Sequence, residues 1–159
     1  MLRTLHIENI AVIKCVDIAF DEGLTVLTGE TGAGKSILID SLGLLLGGKF
    51  SREIIRTGES TATVSAVFDS LADETVAALA ELGYAPDEDG TLLLRRVLHA
   101  DGKSTIRLGT QPITATLARE IGRYLLNIHG QNDNQRLLQK STHLHLLDAM
   151  GDFADEKRA

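Results

Sequence analysis

The sequence predicts an α/β fold that carries a phosphate-binding turn, and three adjacent stretches lead to this prediction. Residues 24–29, LTVLTG, form a short and almost wholly apolar run of the type found in a buried strand. The glycine-rich stretch GETGAGKS, residues 29–36, follows immediately. From Lys35, KSILIDSLGLLLGG is rich in Leu and Ile and stops at Gly47-Gly48, which indicates a helix and its end. A strand, a glycine-rich turn and a helix form the context in which phosphate-binding loops occur.

Size and composition favour one globular domain. The chain has 159 residues, 43% hydrophobic and 24% charged, so it is long enough to bury a core. A net charge of −6 argues mildly against this segment as the main DNA-binding surface, although it leaves room for a local basic patch. No apolar run approaches the roughly 18 residues that span a bilayer, so we expect no membrane partner. We interpret the single cysteine, Cys15, as a small core residue of a cytoplasmic protein.

The segments on either side of the phosphate-binding turn show clear periodicity. Residues 2–20 alternate apolar and polar side chains, so they predict one or two strands with a turn near Glu8-Asn9. Asp101-Gly102 predicts the tight turn of a hairpin, because such turns need positive φ angles. The remaining predictions are a strand at 61–68, a helix at 72–83, the hairpin at 91–109, a helix at 113–125, a strand opening into a loop at 125–133 and a helix at 141–150.

The glycine-rich stretch matches the pattern GxxxxGK[ST] at every position. Gly32 and Gly34 allow the backbone N–H groups to point at phosphate oxygens, and the following helix adds its positive end. Lys35 is expected to contact the β and γ phosphates of ATP, and the Ser36 hydroxyl to bind Mg²⁺. The predicted nucleotide-binding residues are Gly29, Glu30, Thr31, Gly32, Ala33, Gly34, Lys35 and Ser36.

A second acidic motif that ATP hydrolysis requires is absent from these residues. Phosphoryl transfer needs a group that holds the metal from the far side, usually an acid after an apolar strand in the pattern hhhhDE. The runs SAVFDS and LHLLDA are the nearest matches, but each has a polar residue inside and neither has Glu after Asp. The segment therefore carries a binding motif without a complete hydrolytic site.

Several stretches together resemble one family. The runs LHIENIAVI, GLTVLTGETGAGKS, LLGGK, IRTGE, LLLRR and NIHGQND resemble the N-terminal half of the ATPase head of the RecN family. These are bacterial double-strand-break repair proteins of the structural-maintenance-of-chromosomes (SMC) class. The resemblance implies an ABC-type P-loop ATPase head with a mixed sheet, a P-loop helix and an antiparallel β lobe. Residues 1–150 would form the N-terminal half of the head, and residues 151–159 would begin a coiled-coil helix.

The same resemblance implies the rest of the machinery. In that family a C-terminal half carries the signature motif, the Walker B acids and the switch histidine, and ATP is held between two heads. The expected partners are this C-terminal half, a second copy of the head and DNA, at the nucleoid. Gln131 would be the glutamine-loop residue that contacts Mg²⁺ and the γ-phosphate, and with Lys35 it would be catalytic.

Gln131 also has support from the pattern alone, because it follows an apolar strand in a loop, where open α/β sheets place ligands. The alternative is a loop amide that bonds to local backbone. His129 is interpreted as positional within this loop, and Gln135 is a weaker candidate for the same site. His143 and His145 are two apart on a predicted helix and face different directions, so we expect no structural metal there.

Other charged residues have two interpretations each. Asp40 lies one helical turn after Ser36 and either supports the metal or is simply solvated. Arg52 and Arg56 either reach nucleotide or DNA, or are surface groups. Three basic residues on the predicted hairpin either contact DNA phosphates or discourage another chain from pairing with the sheet edge. They are Arg95, Lys103 and Arg107.

Two other functions remain open from the sequence. A small-molecule phosphotransferase has a similar length, but nearly thirty residues precede Gly29 here and no arginine-rich lid is evident. A non-hydrolysing module that responds to nucleotide would lack the second acidic motif by nature.

Overall fold

The computed structural model describes residues 1–28, 34–126 and 128. The chain divides into two units, Met1–Asn127 and Ile128–Ala159, and every element below lies in the first. The strands are β1 (Leu2–Ile10), β2 (Ile13–Ala19), β3 (Thr61–Phe68), β4 (Leu92–His99), β5 (Ser104–Leu108) and β6 (Gln111–Ile113). The helices are α1 (Lys35–Leu45), α2 (Asp73–Glu81) and α3 (Ala115–Leu125), with a short 3₁₀ turn at Arg52–Ile54.

The six strands form one sheet in the order β2-β1-β3-β4-β5-β6, and each of these neighbouring pairs is antiparallel. The α/β class, the P-loop helix and the antiparallel lobe are therefore confirmed. Parallel pairs, which the expected mixed sheet would contain, do not occur between the strands of the described residues. No helix in these ranges is long and apolar enough to cross a membrane.

One face of the sheet carries the core. Along β4, residues alternate between buried and more exposed positions, as the two-residue period of a half-buried strand requires. Helices α1, α2 and α3 add apolar side chains to the same cluster. Its largest fully buried apolar members are Leu5, Ile7, Ile10, Val64, Phe68, Leu94 and Leu98 from the strands, and Leu45, Leu79 and Ile121 from the helices.

Two turns test the sequence predictions directly. The predicted β4–β5 turn is confirmed, because Gly102 has φ +89° and the Asp101 carboxylate accepts a bond from the Lys103 N–H at 2.9 Å. The β1–β2 turn is at Ala11-Val12, between the paired Ile10 and Ile13, so the prediction at Glu8-Asn9 was three residues too early.

The strand predicted at 24–29 was wrong for the residues that the structure describes. Residues 24–28 have no strand assignment, and Leu24, Val26 and Leu27 are 90%, 68% and 44% exposed. An extended segment becomes a sheet strand only when a neighbour pairs with its N–H and C=O groups. None of the described strands pairs with residues 24–28, so the apolar run is left facing solvent.

Candidate nucleotide-binding site

Helix α1 begins directly after the glycine-rich stretch. Gly34 is its N-cap, and the first residues of the helix, Lys35 and Ser36, are exposed. No side chain among the described residues caps this end, and the first turn contains no acid. None of the acids and side-chain caps in the described residues neutralises the positive end of the helix dipole, and such an end favours an anion. The first two residues of α1, Lys35 and Ser36, are those for which the sequence predicts contacts to phosphate and Mg²⁺.

Part of the predicted site lies outside the described residues. Residues 29–33 of the glycine-rich stretch belong to this part, and so does Gln131. The same holds for His129, Gln135, His143 and His145. Their assigned roles stay predictions. Asp40 lies within the described residues, on α1, and is exposed, which agrees with a solvated carboxylate.

The carboxyl end of α1 is held by two arginines that the sequence reasoning missed. Arg96 on β4 is only 4% exposed and donates from one terminal nitrogen to the carbonyls of Leu44, at 2.5 Å, and Gly48, at 2.7 Å. Arg119 on α3 donates from Nε to the carbonyl of Gly47 at 3.0 Å. The alternation Leu92, Leu94, Arg96, Leu98 was the available signal, since it places Arg96 on the buried face.

Arg52 and Arg56 lie in and after the 3₁₀ turn. The Arg56 guanidinium donates to the carbonyl of Val12 at 2.7 Å, and the backbone N–H of Arg56 bonds to the carbonyl of Asn9. Arg56 therefore fixes this loop against the β1–β2 turn, while Arg52 is exposed. The bonds of Arg56 support the surface interpretation of that residue over a nucleotide contact.

The outer face of the sheet gathers positive charge near the β4–β5 hairpin. Arg95 and Arg107 are directly opposite each other on adjacent strands, and both are exposed. Like charges in this position disfavour the strand pair. Arg107 donates to the carbonyl of Thr110 at 2.7 Å, and the Lys103 ammonium lies 3.3 Å from a carboxylate oxygen of Asp101. The two arginines are thus the stronger candidates for contacting an anionic partner.

Cys15 is exposed, so its interpretation as a core residue was wrong. It lies on β2, an edge strand, where the side chains of Cys15 and Asp17 face solvent. His6 Nδ1 lies 2.7 Å from Asp17 Oδ1, and the potential ligand atoms of His6, Cys15 and Asp17 are within 4.8 Å of one another. The hydrogen bond between His6 and Asp17 accounts for the closeness of two of the three groups.

A family model described as an AAA domain matches residues 4–144. DNA repair protein RecN from Halalkalibacterium halodurans is 47% identical over 148 residues, which is 93% of this chain and 26% of that protein. RecN proteins from Bacillus subtilis and Vibrio cholerae are 44% and 38% identical over 93% and 100% of this chain. The chain spans about a quarter of the length of these relatives, 26% to 28%.

Solved structures with the same fold include heads of SMC proteins. A chain from work on ATP-driven dimerization and DNA-stimulated activation of SMC ATPases has a TM-score of 0.64 and 23% identity, covering 94% of this chain and 99% of that one. The Smc head domain from Pyrococcus yayanosii has a TM-score of 0.68 and 21% identity, covering 86% of this chain and 29% of that one. RecF bound to ATP has a TM-score of 0.61 and 17% identity, covering 94% of this chain and 38% of that one.

Proposed function

The chain belongs to the AAA domain family, as a relative of DNA repair protein RecN, and from this premise we propose that it is the ATP-binding part of a DNA-repair ATPase. The complete protein would act in double-strand-break repair and recombination, in the cytoplasm at the nucleoid. One observation carries the proposal. The motif GETGAGKS leads directly into α1, whose first turn has neither a side-chain cap nor an acid.

The roles of the site residues follow from that arrangement. The backbone of residues 29–34 and the start of α1 would hold the triphosphate, because N–H groups and the helix dipole both favour negative charge. Lys35 would neutralise the β and γ phosphates, and the Ser36 hydroxyl would be a ligand of Mg²⁺. Gln131 would complete the metal site from the second loop. Mg²⁺ supplies the positive charge that stabilises the transferring phosphoryl group when it is bound.

Two observations support completion of the site by polypeptide outside these residues. The sequence lacks the acid that holds the metal from the far side. In addition, the apolar segment 24–28, which leads into the motif, has no strand beside it among the described residues. A C-terminal half of the same head would supply both the acid and the neighbouring strands. ATP would then join two heads, and hydrolysis would separate them.

DNA is the proposed partner of the whole assembly. The exposed pair Arg95 and Arg107 supports a contact with phosphates at the outer face of the sheet, because an anion between them would offset their mutual repulsion. Such a contact would be independent of base sequence and would weaken as salt is raised.

The RecN relationship argues against a small-molecule phosphotransferase. A non-hydrolysing module that responds to nucleotide remains the second candidate, because such a protein binds nucleotide without needing the second acidic motif.

The deciding experiment compares ATP turnover by residues 1–159 with turnover by the complete protein. We expect both to bind ATP, with at least about 100-fold slower turnover by residues 1–159, since electrostatic groups of the far half are worth that much or more. Robust turnover by residues 1–159 alone would contradict the proposed completion. ATP-dependent pairing of the complete protein without any hydrolysis would favour the module.

A further inference from the structure

The guanidinium of Arg96 lies in the protein interior without a carboxylate partner among the described residues. Besides the two carbonyls at the end of α1, it donates to the Ser104 hydroxyl at 3.1 Å and stacks 5.4 Å from the centre of the Phe50 ring. Its Nε has no acceptor in this part of the chain. A buried cation of this kind is costly, so its presence calls for a physical reason.

The buried Arg96 guanidinium is explained by the backbone carbonyls that it binds near the carboxyl end of α1. Burial lowers the pKa of Arg96 from its ordinary value, and the nearby charge of Arg119 adds to the decrease. Both cations are nevertheless kept beside the last carbonyls of α1, where the negative end of the helix dipole favours positive charge. Together they bind the carbonyls of Leu44, Gly47 and Gly48. The bond to Leu44 joins β4 to the last turn of α1, and the bonds to Gly47 and Gly48 join α3 and β4 to the residues directly after the helix.

The backbone geometry confirms that this end of α1 has little freedom. A Cβ on Gly47 would lie 2.2 Å from the carbonyl oxygen of Ala115 on α3. A Cβ on Gly122 of α3 would lie 2.9 Å from the side chain of Leu46, just past the helix end. The end that carries Lys35, in contrast, is exposed.

The length of α1 means that the hydrogen bonds of Arg96 and Arg119 near its carboxyl end affect the position of Lys35 and Ser36 at its amino end. The helix has 11 residues, so its ends are about 16 Å apart at 1.5 Å per residue. A tilt of about 5° at the anchored end would move the other end by about 1.4 Å, and displacements near 1 Å are enough to slow catalysis about 100-fold.

We propose that Arg96, assisted by Arg119, is a positioning residue that fixes the tilt of α1 and thereby holds Lys35 and Ser36 against the phosphates. This inference rests on the proposed nucleotide-binding function of α1. Several directional hydrogen bonds to one helix end define an angle, whereas apolar packing alone would tolerate a range of angles. Arg96→Met would leave the partly buried carbonyl of Gly48 without this donor and should cost stability, so the positioning role is measured only on protein that is shown to be folded.

The kinetic test uses the complete protein with Arg96→Met, Arg96→Lys and Arg119→Met. The matched control is Arg123→Met, an exposed arginine one turn further along α3. ATP turnover is measured at a temperature where circular dichroism shows each variant folded. We expect Arg96→Met to lower kcat at least about 10-fold while KM changes less than about 3-fold, because the proposed backbone contacts to phosphate would come from the glycine-rich stretch rather than from α1. Arg96→Lys should recover part of kcat, Arg119→Met should lower it about 3-fold, and the control should match the wild type.

A second measurement tests, in the absence of nucleotide, whether Arg96 sets the tilt of α1. Spin labels at Ile39, on the exposed part of α1, and Leu93, on the outer face of β4, report the tilt of the helix in a background without other reactive cysteines. We expect Arg96→Met to shift or broaden the distance distribution, and Arg123→Met to leave it unchanged.

The outcomes separate the two claims. Unchanged kcat, KM and label distances in a folded Arg96→Met protein with a lower melting temperature would overturn the positioning role and leave a purely structural one. If Arg96→Met fails to fold, Arg119→Met, whose side chain is exposed, decides by the same criteria. If the wild-type protein binds no ATP, the proposed function fails, and the label distances still decide whether Arg96 sets the tilt of α1.

Discussion

The two ends of α1 meet different surroundings, although one continuous helix joins them. At the carboxyl end, Leu44 and Leu45 are buried in the core, and arginines from β4 and α3 bind the carbonyl of Leu44 and that of Gly47 just after the helix. At the amino end, Lys35 and Ser36 are exposed, and the segment 24–28 that approaches them has no paired strand among the described residues. The carboxyl end is bound by other residues of this chain, whereas the amino end is exposed and is the end that we propose binds nucleotide.

This difference separates stability from function along one helix. Substitutions at the carboxyl end should act first on folding or on the tilt of the helix. Substitutions at the amino end should leave folding nearly unchanged. They should weaken nucleotide binding and the proposed ATP-dependent pairing of heads.

The largest effect is expected at the amino end. Lys35→Ala in the complete protein should abolish the proposed ATP-dependent pairing of heads, because it would remove the cation that we propose neutralises the β and γ phosphates. Sizing in the presence of ATP and Mg²⁺ measures the pairing. Lys49→Ala is the matched control, since Lys49 is also exposed but lies beyond the other end of α1. Pairing that persists in Lys35→Ala would contradict the role given to this residue.

At the carboxyl end, Gly47→Ala should lower the free energy of unfolding by about 3 kcal/mol. The φ of +83° costs an alanine about 1 kcal/mol, and the overlap with the Ala115 carbonyl oxygen adds to this cost. Urea denaturation followed by circular dichroism measures the change.

Gly83→Ala is a close control for this substitution. Gly83 has the same φ of +83°, but no atom lies within 4 Å of where its Cβ would be. It should cost about 1 kcal/mol, from the backbone conformation alone. Equal costs at Gly47 and Gly83 would mean that α3 does not constrain the end of α1.

The sequence predicted the parts of the molecule that depend on local pattern. Alternation located β1, β3 and β4, and the Asp101-Gly102 pair located the hairpin turn. The end of α1 was predicted from Gly47-Gly48, where the helix indeed stops within three residues. These features depend on neighbours in sequence, so a periodic pattern suffices to find them.

The errors concern residues whose surroundings are set by distant parts of the chain. Cys15 has an apolar neighbourhood in sequence, but it pairs with the exposed Glu8, so its side chain lies on the solvent-facing side of the sheet. Arg96 was not singled out from the sequence, because charged side chains are rarely buried, and the carbonyls of Leu44 and Gly48, some fifty residues earlier, explain its position. Strand pairing and helix packing decide both cases. The alternation along β4 places Arg96 on the buried face, but it does not reveal the carbonyls that this side chain binds.

The smallest effect is expected for a substitution in segment 24–28, just before α1. Its comparison with the same substitution on β3 is direct, because both valines lie in apolar runs of similar composition. Val26→Ser in residues 1–159 should change the free energy of unfolding by less than about 0.5 kcal/mol, since Val26 is 68% exposed. Val64→Ser, at a fully buried position of β3, should cost about 3 kcal/mol. In the complete protein the cost of Val26→Ser should rise to about 2 kcal/mol, because neighbouring strands would then bury this side chain. Equal costs for the two valines in residues 1–159 would mean that the segment 24–28 is already buried without any further polypeptide.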